Sequence, residues 1–98
     1  MFGTVARFRV KSGKEQELMT LSQEFEQSPP EAWMSTTIYK SAAHPGEYWM
    51  AVAFRDEASY KANADSPRQQ EWYEKMRAVL ESDPEWHDGE VVRAEHRH

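Results

Sequence analysis

Two side chains of this sequence, Tyr60 and His87, are of types that hold or transfer a proton on a bound small molecule. His87 is the stronger candidate for proton transfer, because histidine alone titrates near neutral pH when unperturbed. Tyr60 carries a phenolic hydroxyl that can orient a hydroxyl group of a ligand. Each residue also has an ordinary structural explanation. Tyr60 can be a helix residue with its ring in the core, and His87 can pack at an interface or lie at the surface.

Three further residues are of types that line a pocket for a flat ligand: Phe54, Asn63 and Trp72. Aromatic walls suit a planar ligand, since offset ring stacking contributes roughly 1 kcal/mol per ring pair beyond area burial. Asn63 follows Tyr60 at a spacing that places both on one helical face. Alternatively, Asn63 stabilises the bend that follows it. Trp72 and Tyr73 are adjacent on a helix, so one of them is expected on the sheet and the other at the helix flank.

The sequence contains no recognisable metal site. It contains no cysteine, which excludes disulfides, thiolate ligands and a cysteine nucleophile. No His-x-x-x-His pair falls on a predicted helix; His44 lies beside a Pro-Gly turn, and His96 and His98 are in the C-terminal tail. A glycine-rich phosphate loop and a serine-centred nucleophile motif are also absent from the sequence.

The charged residues disfavour nucleic acid and anionic membranes as partners. The formal net charge is −5, from 12 basic and 17 acidic residues. Binding to phosphates requires clustered Lys and Arg, whereas the basic residues of this chain are scattered. No apolar stretch approaches the roughly 20 residues of a membrane span, and the N-terminus lacks a signal-peptide pattern. A cytoplasmic location is therefore the expectation.

The elements that must position these side chains follow from the apolar periodicity. One domain is expected over residues 1–93, with a flexible tail at 94–98. The short and long helices of its second half have recognisable starts: Asp56 is a predicted N-cap, and Ser66 is a second one. Pro67 suits the first position of the long helix, and Gln69 is placed to complete a capping box. The predicted elements, in chain order, are a strand at 2–10, a helix at 14–27, strands at 33–41 and 47–55, a short helix to about 64, a helix from 67 and a strand at 85–93.

This order predicts an α+β fold of the ferredoxin-like, split βαβ type (β-α-β-β-α-β). Its sheet is expected to be four-stranded and antiparallel, with the helices on one face. In the last strand, alternation puts Trp86 and His87 on opposite faces, so only one of them can face the helices. Arg7 and Arg9 share one face of the first strand. Arginines placed in this way can bind an anionic substrate group, but pairing with acids across the sheet is the more common use.

The apolar run at residues 48–54 predicts that its strand is covered on both faces. It contains seven consecutive residues without a charge, which is typical of a strand covered on both faces. A chain of this length supplies helices for one face of a small sheet. The simplest cover for the other face is a second copy related by a two-fold axis, so a homodimer is predicted.

Three segments resemble a known family: VARFRVKSGK at 5–14, FRDEASY at 54–60 and DSP at 65–67. They are similar to segments of the antibiotic biosynthesis monooxygenase (ABM) family of dimeric α+β barrel proteins. The resemblance extends over about residues 2–93. That family includes oxygenases that convert phenolic polyketides into quinones without metal or flavin, and haem-degrading enzymes.

The resemblance implies roles residue by residue. Positions typical of the haem-degrading branch fall at Ala6, Ala62 and Trp72, which differ from that branch's residues, so haem degradation is not implied. In the quinone-forming branch only one of five positions matches, the tyrosine at Tyr60. The position of its companion tryptophan is Phe54 in this chain, and the other three positions are Met50, about Tyr73 and Lys40.

The resulting functional hypothesis is a cofactor-independent monooxygenase that oxygenates a small aromatic phenol or quinol. Tyr60 and His87 are its candidate catalytic residues, and Phe54, Asn63 and Trp72 its candidate pocket residues. The alternative is a non-catalytic dimeric module that binds a small molecule or regulates a partner. An isomerase on the same scaffold would require His87 or an acid in the pocket. A gap between sheet and helices that is filled by side chains would favour a structural role instead.

Overall fold

The computed structural model describes residues 1–95 and residue 97 of the chain. The predicted tail histidines, His96 and His98, lie outside the described residues. The strands are β1 (Phe2–Arg9), β2 (Trp33–Lys40), β3 (Glu47–Phe54) and β4 (Glu85–Glu90), and the helices are α1 (Glu15–Gln27), α2 (Glu57–Ala64) and α3 (Pro67–Ala78). This order confirms the predicted ferredoxin-like α+β fold.

The four strands form one antiparallel sheet in the order β2-β3-β1-β4. The register aligns Ala6 of β1 with Met50 of β3 on one side and with Trp86 of β4 on the other. Ile38 of β2 lies opposite Met50. Because side chains alternate along each strand, these aligned residues form a row on a single face of the sheet.

The helices cover that face, as the alternation in β1 predicts. Ala6, Phe8 and Val10 are almost fully buried, and they belong to one core cluster with Leu18 of α1 and Met76 of α3. The intervening residues of β1 after Gly3 are exposed. The helices and the core therefore lie on one side of the sheet.

Both predicted helix caps are present, but the capping box is incomplete. The Asp56 carboxylate accepts a hydrogen bond from the Ser59 backbone N–H at 2.7 Å, and the Ser66 hydroxyl accepts one from the Gln69 N–H at 3.1 Å. The Gln69 side chain does not return to Ser66 as predicted; it accepts from the Asn63 amide at 3.3 Å. The Ser66 N–H donates instead to the Asn63 carbonyl at 3.0 Å, because the sharp α2–α3 bend brings that carbonyl close.

The last strand is shorter than predicted. It ends at Glu90 rather than at residue 93, because its pairing partner β1 begins at Phe2, which lies opposite Glu90. Val91 makes one further backbone bond, to the Met1 carbonyl at 2.8 Å. The sheet therefore stops where β1 runs out.

The opposite side of the sheet, here called the far face, carries Val5, Arg7, Tyr39, Trp49 and Ala51. Tyr39 is 62% exposed, Val5 44% and Trp49 37%. The Arg7 guanidinium lies 5.8 Å from the centre of the Trp49 ring and is ion-paired with acidic side chains of β4 and β3, as the sequence predicts. Within the described residues, no helix is long and apolar enough to cross a membrane.

Candidate functional site

A cavity of about 640 Å³ lies between the sheet and the helices. All seven elements contribute to its lining, so the gap that would be filled in a purely structural protein is open. We call it the sheet–helix cavity. Its lining is mainly apolar and aromatic, and the aromatic residues that line it are Phe25, Phe54, Tyr60, Trp72, Tyr73 and Trp86.

The aromatic walls are held by contacts with one another and with the backbone. The Phe54 ring meets the Tyr60 ring edge-on, with 5.7 Å between centroids and 80° between planes. The Trp72 indole N–H donates to the Leu21 carbonyl at 3.2 Å, which fixes the ring between α1 and α3. Phe54 is 2% exposed, so this wall is anchored in the core.

Tyr60 is directed towards the last strand by its position in α2. Its hydroxyl donates a hydrogen bond to Asp88 Oδ1 at 2.9 Å. Burial of the ring and hydroxyl, followed by the bond to the Asp88 carboxylate, raises the pKa of Tyr60 to about 12. Tyr60 is therefore a neutral hydrogen-bond donor at physiological pH and not a base.

Thr4 lies beside this pair in the lining of the cavity. It is 6% exposed, and it lies opposite Asp88 in the β1–β4 register. Its hydroxyl is near enough to Tyr60 to oppose weakly the rise in the Tyr60 pKa. The hydroxyl nevertheless has no partner of hydrogen-bond geometry among the described residues. Such a buried hydroxyl is uncommon in proteins, and it calls for a specific explanation.

Four of the five predicted site residues come together here. Phe54, Tyr60, Asn63 and Trp72 all line the sheet–helix cavity. Trp72 and Tyr73, which were expected to face different ways, both line it, because the lining takes α3 residues from more than one face of the helix, between Gln69 and Glu74. Asn63 also takes the role proposed as its alternative, since its carbonyl accepts two bonds from Ser66 at the α2–α3 bend.

His87 is not brought to the cavity. It lies opposite Val5 on the far face, and its Nε2 is 2.9 Å from Glu85 Oε1. The predicted alternation in β4 holds, with Trp86 facing the helices and His87 facing away. The catalytic role of His87 stays a prediction, and nothing in the cavity depends on it.

Asp88 is the site residue that sequence reasoning missed. The same alternation that places Trp86 in the cavity places Asp88 there too, two positions further along β4. That signal was present in the sequence. It could be used only once the inward face of β4 was known, and this depends on pairing with β1.

The charged residues of the lining are all acidic. Glu26, Glu74 and Asp88 contribute to it, and no Lys, Arg or His is found in it among the residues that the structure describes. Within the same described part of the chain, no group of three or more His, Asp or Glu side chains is arranged to hold a metal ion.

Comparison with protein families identifies the scaffold. The model of the antibiotic biosynthesis monooxygenase family matches residues 1–75. The chain belongs to this family. No curated protein sequence matches the chain at a significant level. The match to the ABM family includes Thr4, Tyr60 and Trp72, and it ends within α3, so Trp86 and Asp88 lie beyond it.

Solved structures share the ABM fold of this chain. A variant of SnoaB, a cofactor-independent oxygenase from Streptomyces nogalater, has a TM-score of 0.79 at 13% identity, over 95% of this chain and 94% of that one. A conserved protein from Methanosarcina mazei Go1 has a TM-score of 0.77 at 23% identity, over 90% and 89%. An antibiotic biosynthesis monooxygenase has a TM-score of 0.75 at 13% identity, over 95% and 100%. At such identities the likeness shows the fold alone.

Proposed function

We propose that this protein is a cofactor-independent monooxygenase that oxygenates a small aromatic phenol or quinol. The observation that carries the proposal is the aromatic sheet–helix cavity of about 640 Å³, with the hydrogen-bonded Tyr60–Asp88 pair at one end. Membership of the ABM family supports it. SnoaB, which shares the fold, is itself described as a cofactor-independent oxygenase.

The reaction needs no added reductant. A phenol plus dioxygen gives a quinone plus water: one oxygen atom enters the ring, the other leaves as water, and all four electrons come from the substrate. The protein must bind the ring, exclude water and accept the phenol proton. The walls formed by Phe54 and Trp72 serve the first two tasks, because they present flat apolar surfaces to a planar ring.

Asp88 is the proposed proton acceptor. A phenolate beside a charged carboxylate is unfavourable, since like charges disfavour one another's ionised form. Transfer of the phenol proton to Asp88 avoids this, because the total charge of the site does not change. The Tyr60 hydroxyl, which donates to Asp88 in the structure, can then donate to the new substrate oxyanion.

Oxygen consumption tests the proposal. Purified protein is incubated with a panel of hydroquinones and naphthols in an oxygen electrode, and quinone formation is followed by absorbance. We expect uptake above the buffer rate for at least one compound, and a loss of roughly tenfold or more in Tyr60→Phe, as for other positioned proton-handling groups. Equal uptake with protein and with buffer across the whole panel would count against the monooxygenase.

The alternative is a non-catalytic module that binds a small molecule or regulates a partner. One observation favours it: in the described part of the chain, no cationic side chain lines the cavity to stabilise an oxyanion. If compounds bind but none of those that bind supports oxygen uptake, the result favours the non-catalytic module over the monooxygenase.

We further propose that the protein is a cytoplasmic homodimer joined through the far face. The exposed Tyr39 and Trp49 rings there form an apolar surface on the sheet. Beside them, Arg7 and Glu85 give the same surface both signs of charge, which a two-fold related copy can match.

A further inference from the structure

The Thr4–Tyr60–Asp88 cluster has bonding capacity that the protein itself does not use. Thr4 Oγ1 is buried and without a hydrogen-bond partner among the described residues. Leaving a buried hydroxyl unpaired costs free energy that an isosteric valine would avoid. The Asp88 carboxylate accepts one bond from Tyr60, whereas a carboxylate can accept several.

The pairing of β1 with β4 brings the side chains of Thr4 and Asp88 close together. Thr4 and Asp88 are directly opposite one another on β1 and β4, and both side chains line the sheet–helix cavity. Side chains paired in this way have Cβ atoms about 5 Å apart. A ligand hydroxyl between them can donate to Asp88 and accept from Thr4 at the same time.

The charge of the cavity limits what that ligand can be. Glu26, Glu74 and Asp88 line it, and the described residues supply no Lys, Arg or His to balance them. All three carboxylates are exposed at the rim of the lining. An anionic group beside them meets like charges without a counter-charge from the described lining, and this repulsion is unfavourable although solvent screens it. Tyr60 shows the same effect on a phenol of the protein itself. Burial and the Asp88 carboxylate favour its neutral form and so raise its pKa.

We propose that the Thr4–Tyr60–Asp88 cluster binds the un-ionised hydroxyl of an aromatic ligand, and that the cavity rejects aromatic carboxylates. This inference rests on the proposed function, because it concerns the same cavity. It narrows the substrate class to aromatic compounds with a neutral hydroxyl group. It does not require turnover. The ring lies among Phe54, Trp72 and Trp86, and the hydroxyl points at the β1–β4 edge of the cavity.

Three matched probes test the proposal: 2-naphthol, 2-methoxynaphthalene and 2-naphthoate. They share one ring system and differ in carrying a hydroxyl donor, an ether without a donor, or an anion. Binding to the full-length protein near neutral pH is measured by calorimetry, with the indole N–H signals of Trp72 and Trp86 followed by NMR. We expect 2-naphthol to bind roughly tenfold or more tightly than either other probe, since hydrogen bonds to charged acceptors are the stronger class.

Two variants assign the effect to the cluster. Asp88→Asn should weaken 2-naphthol about tenfold and strengthen 2-naphthoate, so the two affinities converge. Thr4→Val should weaken 2-naphthol several-fold while thermal stability is unchanged or higher, because the variant removes an unpaired buried hydroxyl. Asp65→Asn is the matched control: it removes the same charge at an exposed position outside the cavity and should leave all three affinities unchanged.

Several outcomes overturn the proposal. They are equal binding of 2-naphthol and 2-methoxynaphthalene, preference for 2-naphthoate, no binding of any probe at millimolar concentration, or an unchanged ranking in Asp88→Asn. If Thr4→Val does not fold, Asp88→Asn decides alone, since Asp88 is exposed at the cavity mouth. Tight binding of 2-naphthol without oxygen uptake supports this proposal and contradicts the monooxygenase. Oxygen uptake without tighter binding of 2-naphthol supports the monooxygenase and contradicts this proposal.

Discussion

The hydrogen bond between Tyr60 and Asp88 joins α2 to β4 across the mouth of the sheet–helix cavity. Its two partners come from residue types that serve either structure or chemistry. In this fold the bond links α2 to β4 and holds a donor and an acceptor beside the cavity, where we propose that they contact a ligand. The protonation state of Tyr60 is the property of the pair that is most directly measurable.

Alkaline titration of tyrosinate absorbance gives the first prediction at this scale. Tyr60 should ionise near pH 12 instead of near 10. The signal that disappears in Tyr60→Phe identifies it, and Tyr39→Phe, on the far face, serves as the control. In Asp88→Asn the pKa of Tyr60 should fall only part of the way back, because burial is the largest cause of its rise and the carboxylate the second. Ionisation of Tyr60 near pH 10 would contradict the structure of the pair.

The same shift predicts the direction of a stability change. Between pH 10 and about 12 an unfolded chain has lost the Tyr60 proton, whereas the folded protein still holds it. The folded state then binds more protons, so the free energy of unfolding decreases as pH rises through this window and the contribution is fully present below it. Chemical denaturation at several alkaline pH values should show a smaller decrease for Tyr60→Phe than for the wild type.

Among the elements, the α2–α3 bend decides where the cavity residues of these two helices lie. Asp56 starts α2 and Ser66 starts α3, each by accepting from a backbone N–H of its own first turn. The bond from Ser59 holds the pKa of the Asp56 carboxyl below its usual value. Between the two caps, the Asn63 carbonyl receives both the N–H and the hydroxyl of Ser66. The caps therefore fix where α2 and α3 begin, on either side of the bend.

Loss of the second cap is expected to destabilise the fold. Ser66→Ala removes the acceptor for the Gln69 N–H and should lower the free energy of unfolding by about 1 kcal/mol. Urea denaturation followed by circular dichroism measures it. Ser82→Ala, a matched change at an exposed bend outside the helices, should have an effect within about 0.5 kcal/mol of zero. A Ser66→Ala variant as stable as Ser82→Ala would mean that the cap contributes nothing.

At the scale of the whole molecule, the far face is the side of the sheet that the helices leave exposed. One face of the sheet is buried under the helices, while Val5, Tyr39 and Trp49 remain exposed on the other. In a single copy these three side chains stay in contact with water. A second copy would bury them and would place the charged side chains around Arg7 against their symmetry mates.

Association is testable with one substitution. Trp49→Glu places a charge in the centre of the far face and should convert a dimer into a monomer at micromolar concentration, as measured by analytical ultracentrifugation. Ala62→Glu adds the same charge on the exposed surface of α2 and should leave the dimer intact. A wild-type protein that sediments as a monomer at these concentrations would contradict the homodimer.

Local sequence determined most of the fold. The alternation from Phe2 to Val10, the helical spacing in α1 and the caps at Asp56 and Ser66 act over a few residues, so they can be recognised without knowing the rest of the structure. The strand order of a split βαβ fold then follows from the succession of elements. These same features brought Phe54, Tyr60, Asn63 and Trp72 to one cavity.

Only the tertiary structure decided the last strand. Its alternation separates Trp86 and Asp88 from His87, but which set faces the helices depends on the register with β1, and a shift of one residue would exchange them. That register is a long-range property, since β1 and β4 lie at opposite ends of the chain. It placed Asp88 beside Tyr60 and Thr4 and put His87 on the far face, because pairing between distant strands is set by the packing of the whole sheet and not by the residues of either strand alone.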